Sequence, residues 1–401
     1  MTVRRYYTDS YARTFTANVV ELATSGGSPA AILQETFFYP TSGGQPHDTG
    51  RLGSSGVRDV SIREDGMVLH LLDAPLEHGP AEAVIDWPRR FDHMQQHTGQ
   101  HILSQAFIQV ADAPTIGFHL GAETVSIDLG LPGIDDGKVA DALATANEIV
   151  TGNQAVRAWF PTAEELPELS LRKTPEVEGA LRVVAIGDFD LSACGGTHVA
   201  HTGEIGLIEI LKTERLKRGM RVEFVCGRRA VADYTRKHGI VRDLSSALTC
   251  APVELPESVA RLQGALAEAQ RELKVFRERE LDVEAARLLE GASSTGGFRV
   301  VRAAWSDRPI DEVKGLALRT TAKPDVVSLL GVAGARAQIL FGRSESVSLD
   351  LKPAFDRTLA VLGGGKGGGS RLLQGAAGPA DVAKLERALA AAEASLAQGA
   401  A

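Results

Sequence analysis

Two short stretches of the chain carry side chains whose types and spacing suit a metal ion. In CGGTHVAHTG (194–203), Cys194 and His198 stand four apart around a pair of glycines. In HMQQHTGQH (93–101), histidines recur every fourth residue, at His93, His97 and His101. Residues i and i+4 lie on one face of a helix, so either adjacent pair can reach a single ion. Zinc in proteins takes about four ligands in a tetrahedron, chiefly cysteine sulfur and histidine nitrogen. His97 and His101 from a helix, with Cys194 and His198 from a turn, supply that set. Gly195 and Gly196 let the backbone bend so that both ligands of the turn face inward. Each half alone is commonplace; the two together are far more specific. The metalloprotease pattern H-E-x-x-H is excluded, because Thr98 stands where its glutamate base belongs.

The elements that must position these residues can be read from pattern. A chain of 401 residues with 44% apolar and 23% charged residues is a globular protein of several domains. Up to about residue 90, short apolar runs (19–22, 31–33, 68–72) alternate with Gly, Ser, Pro and Asp clusters, which suits a small β-barrel. TSGGQPHDTG (41–50) is a loop, since two glycines and a proline break any regular element. Residues 91–111 fit a helix carrying the three histidines. Residues 91–245 mix strands and helices as an α+β domain. A long helix over 256–290, with a heptad seam at Val259, Leu262, Leu266, Ala269, Leu273 and Phe276, fits either a coiled coil or a helix packed on its own domain. With GASSTGG (291–297) as a flexible stretch, residues 246–295 form a helix and linker. Residues 296–401 read as α/β. The fold class expected is therefore α+β and multidomain.

Charge and cysteine usage narrow the function. A net charge of -8 excludes a blanket polyanion binder, so nucleic acid would have to meet a local basic surface. The stretch 212–230, with Arg218 and Arg221 near a hairpin tip, is one such surface, although by itself it reads as a solvated turn. Three scattered cysteines give no disulfide framework and point to a reducing, cytoplasmic setting. There is no signal-peptide core and no apolar run of bilayer length.

HTGQH and CGGTHVAHTGEIG together resemble the editing domain of alanyl-tRNA synthetases and of the AlaX-type alanyl-tRNA editing proteins. FFYPTSGGQPHDTG resembles the loop of that family's N-terminal barrel. LGGGKGGGSRLLQG resembles the glycine-rich signature of the DHH-associated C-terminal domain of the long AlaX proteins. The matches come in the family's order and cover most of the chain. No stretch before residue 91 has room for an aminoacylation domain, and DHM (92–94) falls short of a DHH triplet. The resemblance implies an α+β chain of N-terminal barrel (1–90), zinc-containing editing domain (91–245), helical linker (246–295) and DHH-associated tRNA-binding domain (296–401).

It further implies hydrolysis of tRNA(Ala) charged with serine, and also with glycine. His97, His101, Cys194 and His198 would hold Zn2+. Four protein ligands close a shell, which is the usual structural arrangement, whereas a loosened shell would let the ion act on water. Thr41, with Ser42 beside it, stands where the family senses the serine hydroxyl. His93 is a candidate general base or adenosine contact, and His119 falls near the place where synthetases carry a pocket-lining glutamine. Lys366, Gly367 and Gly368, with Arg218 and Arg221, are the expected tRNA contacts. A homodimer through the C-terminal region is expected, and no membrane partner. Two other readings stand: a non-catalytic tRNA-binding module with structural zinc, and a zinc hydrolase of small esters or amides.

Overall fold

The computed structural model describes residues 1–131, 133–173 and 180–399, and the chain divides into two compact units, Met1–Ala247 and Leu248–Ala401.

Eight strands open the first unit: β1 (Val3–Arg4), β2 (Thr14–Ser25), β3 (Ser28–Leu33), β4 (Glu35–Thr36), β5 (Gly50–Leu52), β6 (Ser55–Ile62), β7 (Val68–Leu72) and β8 (Gly79–Ile85). Six pair in the order β2-β3-β7-β6-β5-β8, and β8 also pairs with β2, so the sheet closes on itself. Alternate side chains face the interior, as in β7, where Val68, His70 and Leu72 are buried between half-buried neighbours. Ala17, Val19, Leu33, Phe38, Leu52 and Val60 complete this small core. From it the loop 41–49 projects with Ser42 paired to Gln45 across Gly43 (φ 55°) and Gly44 (φ 83°). Both glycines are left-handed, which side chains disfavour. A Cβ on Gly44 would also lie 2.7 Å from the Phe118 ring.

Helix α1 (Trp87–Ala111) begins four residues before the expected Phe91. The Asp86 side chain accepts from Arg89 N and Pro88 lies in the first turn, both ordinary start signals. Asp112, left-handed at φ 51°, ends it. Residues 93–104 of α1 are all buried, so this is a central helix rather than a surface one. It is followed by β9 (Thr115–Leu120), β10 (Val125–Leu129), α2 (Asp136–Thr151), β11 (Val156–Trp159), β12 (Val183–Ile186), β13 (Asp190–Ala193), β14 (Ile208–Leu216), β15 (Gly219–Cys226) and α3 (Gly227–Leu248). The sheets are β14-β15-β10-β9 and β11-β12-β13. Met94, Leu103 and Phe107 of α1 share one core with Ala146 of α2 and with Ile127, Val222 and Phe224 of the four-stranded sheet.

The second unit contains α4 (Leu255–Glu290), β16 (Ser293–Thr295), β17 (Phe298–Trp305), α5 (Ile310–Thr321), β18 (Val326–Val332), β19 (Gln338–Arg343), α6 (Lys352–Val361), β20 (Gly365–Gly368), β21 (Leu372–Ala377) and α7 (Val382–Gly399). The six strands order as β16-β17-β18-β19-β21-β20, with only β17 and β18 parallel. Two separate cores flank this sheet. One gathers α6 and α7, the other α5 and the end of α4 through Leu281 and Ala285.

Two expectations change here. Residues 291–297 are not a free linker: Ser293–Thr295 pairs with Phe298–Val300, and Gly296-Gly297 make the hairpin turn between them. The heptad seam of α4 is not covered along its length, with Leu266 61% and Phe276 64% exposed. The glycine-rich run supplies β20, an exposed edge strand paired to β21, with Lys366 in its middle. No helix among the described residues is long and apolar enough to cross a membrane.

Candidate metal centre

α1 brings His97 and His101 one turn apart on its buried face. Cys194 follows directly on β13, and His198 lies four residues further along the turn. The four ligand atoms expected from sequence meet, all within 4.8 Å of one another. The Cys194 Sγ lies 3.4 Å from His97 Nε2 and 3.3 Å from His198 Nε2. A tetrahedron with ordinary zinc–nitrogen and zinc–sulfur bonds has N–S edges of about 3.5 Å.

Each imidazole is also fixed from behind. His97 Nδ1 meets Gln45 Oε1 at 2.7 Å, and His101 Nδ1 meets Asp190 Oδ2 at 3.1 Å. The Thr98 hydroxyl donates to Met94 O, so at 3.1 Å it accepts from His198 Nδ1. With an ion bound, all three Nδ1 atoms would carry the proton and leave Nε2 to ligate. Outer partners of this kind orient metal-binding histidines and raise their basicity. Sequence reasoning assigned none of the three this role, reading Gln45 as a loop cap and Thr98 only as the absence of a glutamate base.

The electrostatics of the cluster are those of a thiolate among imidazoles. Burial pushes the Cys194 thiol up, but the facing His97, His198 and His101 outweigh it and hold it well below its usual range. Burial pulls His101 down, yet Cys194 and Asp190 carry it up to about 9. Burial dominates at His198 and holds it near 3. Asp190 is itself tied by Arg172 at 3.3 Å and by the Ser192 hydroxyl at 3.0 Å.

The turn is held by Arg182, whose Nη1 donates to the carbonyls of Cys194 and Gly196, each at 2.9 Å. Neither Gly195 nor Gly196 has a positive φ, so the bend itself does not demand glycine. Space does: a Cβ on Gly196 would sit 2.2 Å from His97 Cε1 and 2.4 Å from its Nδ1. Gly196→Ala is expected to tilt the His97 ring off Gln45 and weaken metal affinity by roughly ten- to a hundredfold, the usual loss for a broken outer contact. Competition with a chromogenic chelator measures this, and an unchanged affinity would show that the turn yields without cost.

Beside the cluster lies a cavity of about 640 Å3, lined among others by Gly43, His97, Gln100, Thr115, Phe118 and Cys194. The other site candidates fall outside that lining. Thr41 is exposed and its hydroxyl is engaged by His47, through the ring Nδ1 at 3.1 Å and the backbone N–H at 3.2 Å, while Gly43 reaches the cavity. His119 is exposed on β9; its neighbour Phe118 turns to the cavity and packs on His97 with centroids 5.3 Å apart. His93 is buried but lines a different cleft, and burial with the charges of Arg89, Arg229 and Arg90 holds it near 3, too acidic for a base at neutral pH. Arg221 is taken up by Asp128, its partner across β10 and β15, at 2.7 and 2.8 Å. Arg218 stands exposed at the hairpin turn, and Lys366, Gly367 and Gly368 are exposed in the second unit.

Residues 181–222, which contain Cys194 and His198, match the threonyl and alanyl tRNA synthetase second additional domain. Two of the four candidate ligands thus lie in the matched stretch, whereas His97 and His101 of α1 lie before it. The chain is 28% identical to alanyl-tRNA editing protein AlaX-L of Pyrococcus horikoshii over 94% of each chain. It is 32% identical to alanyl-tRNA editing protein Aarsd1 of Mus musculus over 90% of this chain and 91% of that one. It is also 34% identical to an alanine–tRNA ligase of Pyrococcus furiosus, over 68% of this chain but only 31% of the ligase's length. The chain belongs to the family of alanyl-tRNA editing proteins.

Proposed function

We propose that this chain is a trans-editing aminoacyl-tRNA deacylase that hydrolyses the ester of tRNA(Ala) mischarged with serine, and also with glycine, using zinc held by His97, His101, Cys194 and His198. The observation that carries this reading is the sharing of His97, His101 and Cys194 between the cluster and the adjoining cavity, in a chain of the alanyl-tRNA editing family. The need for such an enzyme is physical. A pocket built for alanine cannot strongly reject glycine or serine, so a second, hydrolytic site must. The cavity is of a size that suits one small ligand.

A zinc ion at these ligands supplies Lewis acidity to the ester. The protein's part is orientation: Gln45, Asp190 and Thr98 aim the imidazoles, Arg182 fixes the turn, and Phe118 covers one side of His97. The domain reading fits this division of labour. Residues 1–90, as a small barrel, deliver the glycine loop to the centre, and residues 296–401, as a DHH-associated domain, grip tRNA through Lys366, Gly367 and Gly368. The apolar stripe on α4 supports a homodimer through the C-terminal part.

Seryl-, glycyl- and alanyl-tRNA(Ala), each with and without chelator, test the proposal. Hydrolysis of the first two but not the third, lost with metal, is expected. Binding of tRNA without hydrolysis would leave a non-catalytic module. Thr41, next but one to Gly43, is the residue we propose to sense the serine hydroxyl, which requires its own hydroxyl to leave His47 and turn to the cavity. Thr41→Val is expected to lower kcat/KM for seryl-tRNA(Ala) by roughly ten- to thirtyfold and to touch glycyl-tRNA(Ala) much less. Equal losses on both would reduce Thr41 to shaping the loop through His47.

A further inference from the structure

We propose that a second cleft, lined by Pro88, Arg89, His93, Ala122, Arg228 and Arg229, is an anion site that holds a phosphodiester of the tRNA acceptor end while the ester occupies the metal cavity. This rests on the function proposed above. The cleft has a volume of about 440 Å3 and shares no lining residue with the metal cavity.

Four observations point to an anion. The first turns of two long helices contribute to the lining, Pro88 and Arg89 from α1 and Arg228 and Arg229 from α3. Helix N-termini carry partial positive charge, although the N–H groups of Arg89 and Arg228 are themselves taken by Asp86 and Gln95, so the side chains and the dipole, not free N–H groups, face the cleft. The acid of the lining, Asp92, is neutralised by Arg229, with ion-pair contacts of 2.6 and 2.9 Å. Among the described residues neither Arg89 nor Arg228 forms an ion pair, and Arg228 is exposed, so positive charge remains over. Finally His93, only 4% exposed, has a buried Nδ1 without a hydrogen-bond partner among the described residues. A buried polar atom left unpaired costs free energy, and a ligand oxygen would satisfy it. The low pKa of His93 keeps the ring neutral, so it offers an N–H donor and no charge. Guanidinium forks on phosphate, with one neutral donor behind, form a complementary set.

Placement favours the tRNA backbone as the source of that phosphate. The loop 43–46 stands between the two cavities, Gly43 lining one and Pro46 the other. Strand β9 and its exit do the same, with Phe118 on one side and Gly121 on the other. His93 is one turn of α1 from His97, about 6 Å along the axis. A single-stranded end with its ester at the metal cavity runs its backbone past the second cleft.

Inorganic phosphate titrated into the full chain, followed by nitrogen NMR, is expected to shift the His93 ring and Arg228 side-chain signals and to leave the core His70 unmoved. The salt dependence of Kd for uncharged tRNA(Ala) and of kcat/KM for seryl-tRNA(Ala) then separates the contacts. Arg228→Ala is expected to lower affinity roughly tenfold and flatten the slope of log K against log salt by about 0.7, one phosphate on a single strand. His93→Leu is expected to raise KM several-fold with kcat and the slope unchanged, since a neutral donor releases no counterion. Absence of any phosphate shift together with unchanged slopes overturns the site. Phosphate binding with unaltered tRNA affinity in both variants overturns its assignment to the tRNA backbone. A fall in kcat for His93→Leu at constant KM makes His93 a base and overturns the proposal likewise. A wild type that binds tRNA with the expected slope but hydrolyses nothing defeats the proposed function and leaves the cleft standing.

Discussion

Replacing Cys194 and His198 together by alanine is expected to strip the centre of metal and to lower seryl-tRNA(Ala) deacylation by roughly a thousandfold or more. Two ligands of four would remain, both on α1. A Lewis acid at an ester contributes several kcal/mol, and about 1.4 kcal/mol is tenfold in rate. Metal content by mass spectrometry and single-turnover deacylation measure the two effects. A graded series then separates ligation from mere disturbance. Gln45→Leu and Asp190→Asn leave all four ligands but release His97 or His101 from behind, and should cost ten- to a hundredfold in metal affinity. Gln45 also bonds Thr197 through Nε2 at 2.8 Å, so its loss frees the turn as well. In every variant affinity should fall as the pH falls, because protons compete for the thiolate and the imidazoles. A full complement of metal in the double variant, or full activity after its removal, would refute the assignment.

The largest effect on stability is expected from Arg90, which is fully buried against an equally buried Asp48. Its Nε lies 2.9 and 3.0 Å from the two carboxylate oxygens, and its Nη1 donates to Ser10 O at 2.9 Å. Asp48 accepts in addition from Tyr39 N at 2.6 Å. One guanidinium thereby joins the N-terminal segment, the glycine loop and the first turn of α1. Arg90→Ala should cost about 3–5 kcal/mol, most of it from the carboxylate left buried without a partner. The double variant Arg90→Met with Asp48→Leu removes both charges and should recover much of that loss. Urea denaturation of the three proteins checks both statements. A single variant as stable as the parent, or a double variant worse than the single one, would show that the pair is not the joint between these segments.

The four ligands were legible because each pair sits inside a local motif whose spacing fixes a face or a turn. Their supports were not, since Gln45–His97, His101–Asp190 and Thr98–His198 bridge 52, 89 and 100 residues. Periodicity found α1 but understated it: Gln95, Gln96, Thr98 and Gln100 are buried and hydrogen-bonded, so polar residues do not mark a solvent face. Its start was written in Asp86 and Pro88, ahead of the histidine pattern that drew attention. The family resemblance places His119 near the pocket-lining glutamine, yet its neighbour Phe118 lines the cavity, and one residue of strand register exchanges the two faces of a strand. The glycine pair at 296–297 read as flexibility because composition alone does not separate a linker from a two-residue hairpin turn. The multidomain α+β character needed no such detail, since it follows from the change of period near residue 90.

The bridging by Gln45 bears on how the protein folds. Cys194 and His97 are 97 residues apart, and Gln45 reaches Thr197 across 152. An unfolded chain offers an ion only the local pairs, two ligands at a time, because closing the long loops costs entropy before any bond rewards it. Complete coordination exists only in a chain whose distant segments have already docked. Where those contacts form after the rate-limiting step, a bound ion acts on unfolding rather than on folding, as contacts absent from the transition state do. Metal should leave the refolding rate nearly unchanged and slow the opening of the native state, acting as a latch and not as a nucleus.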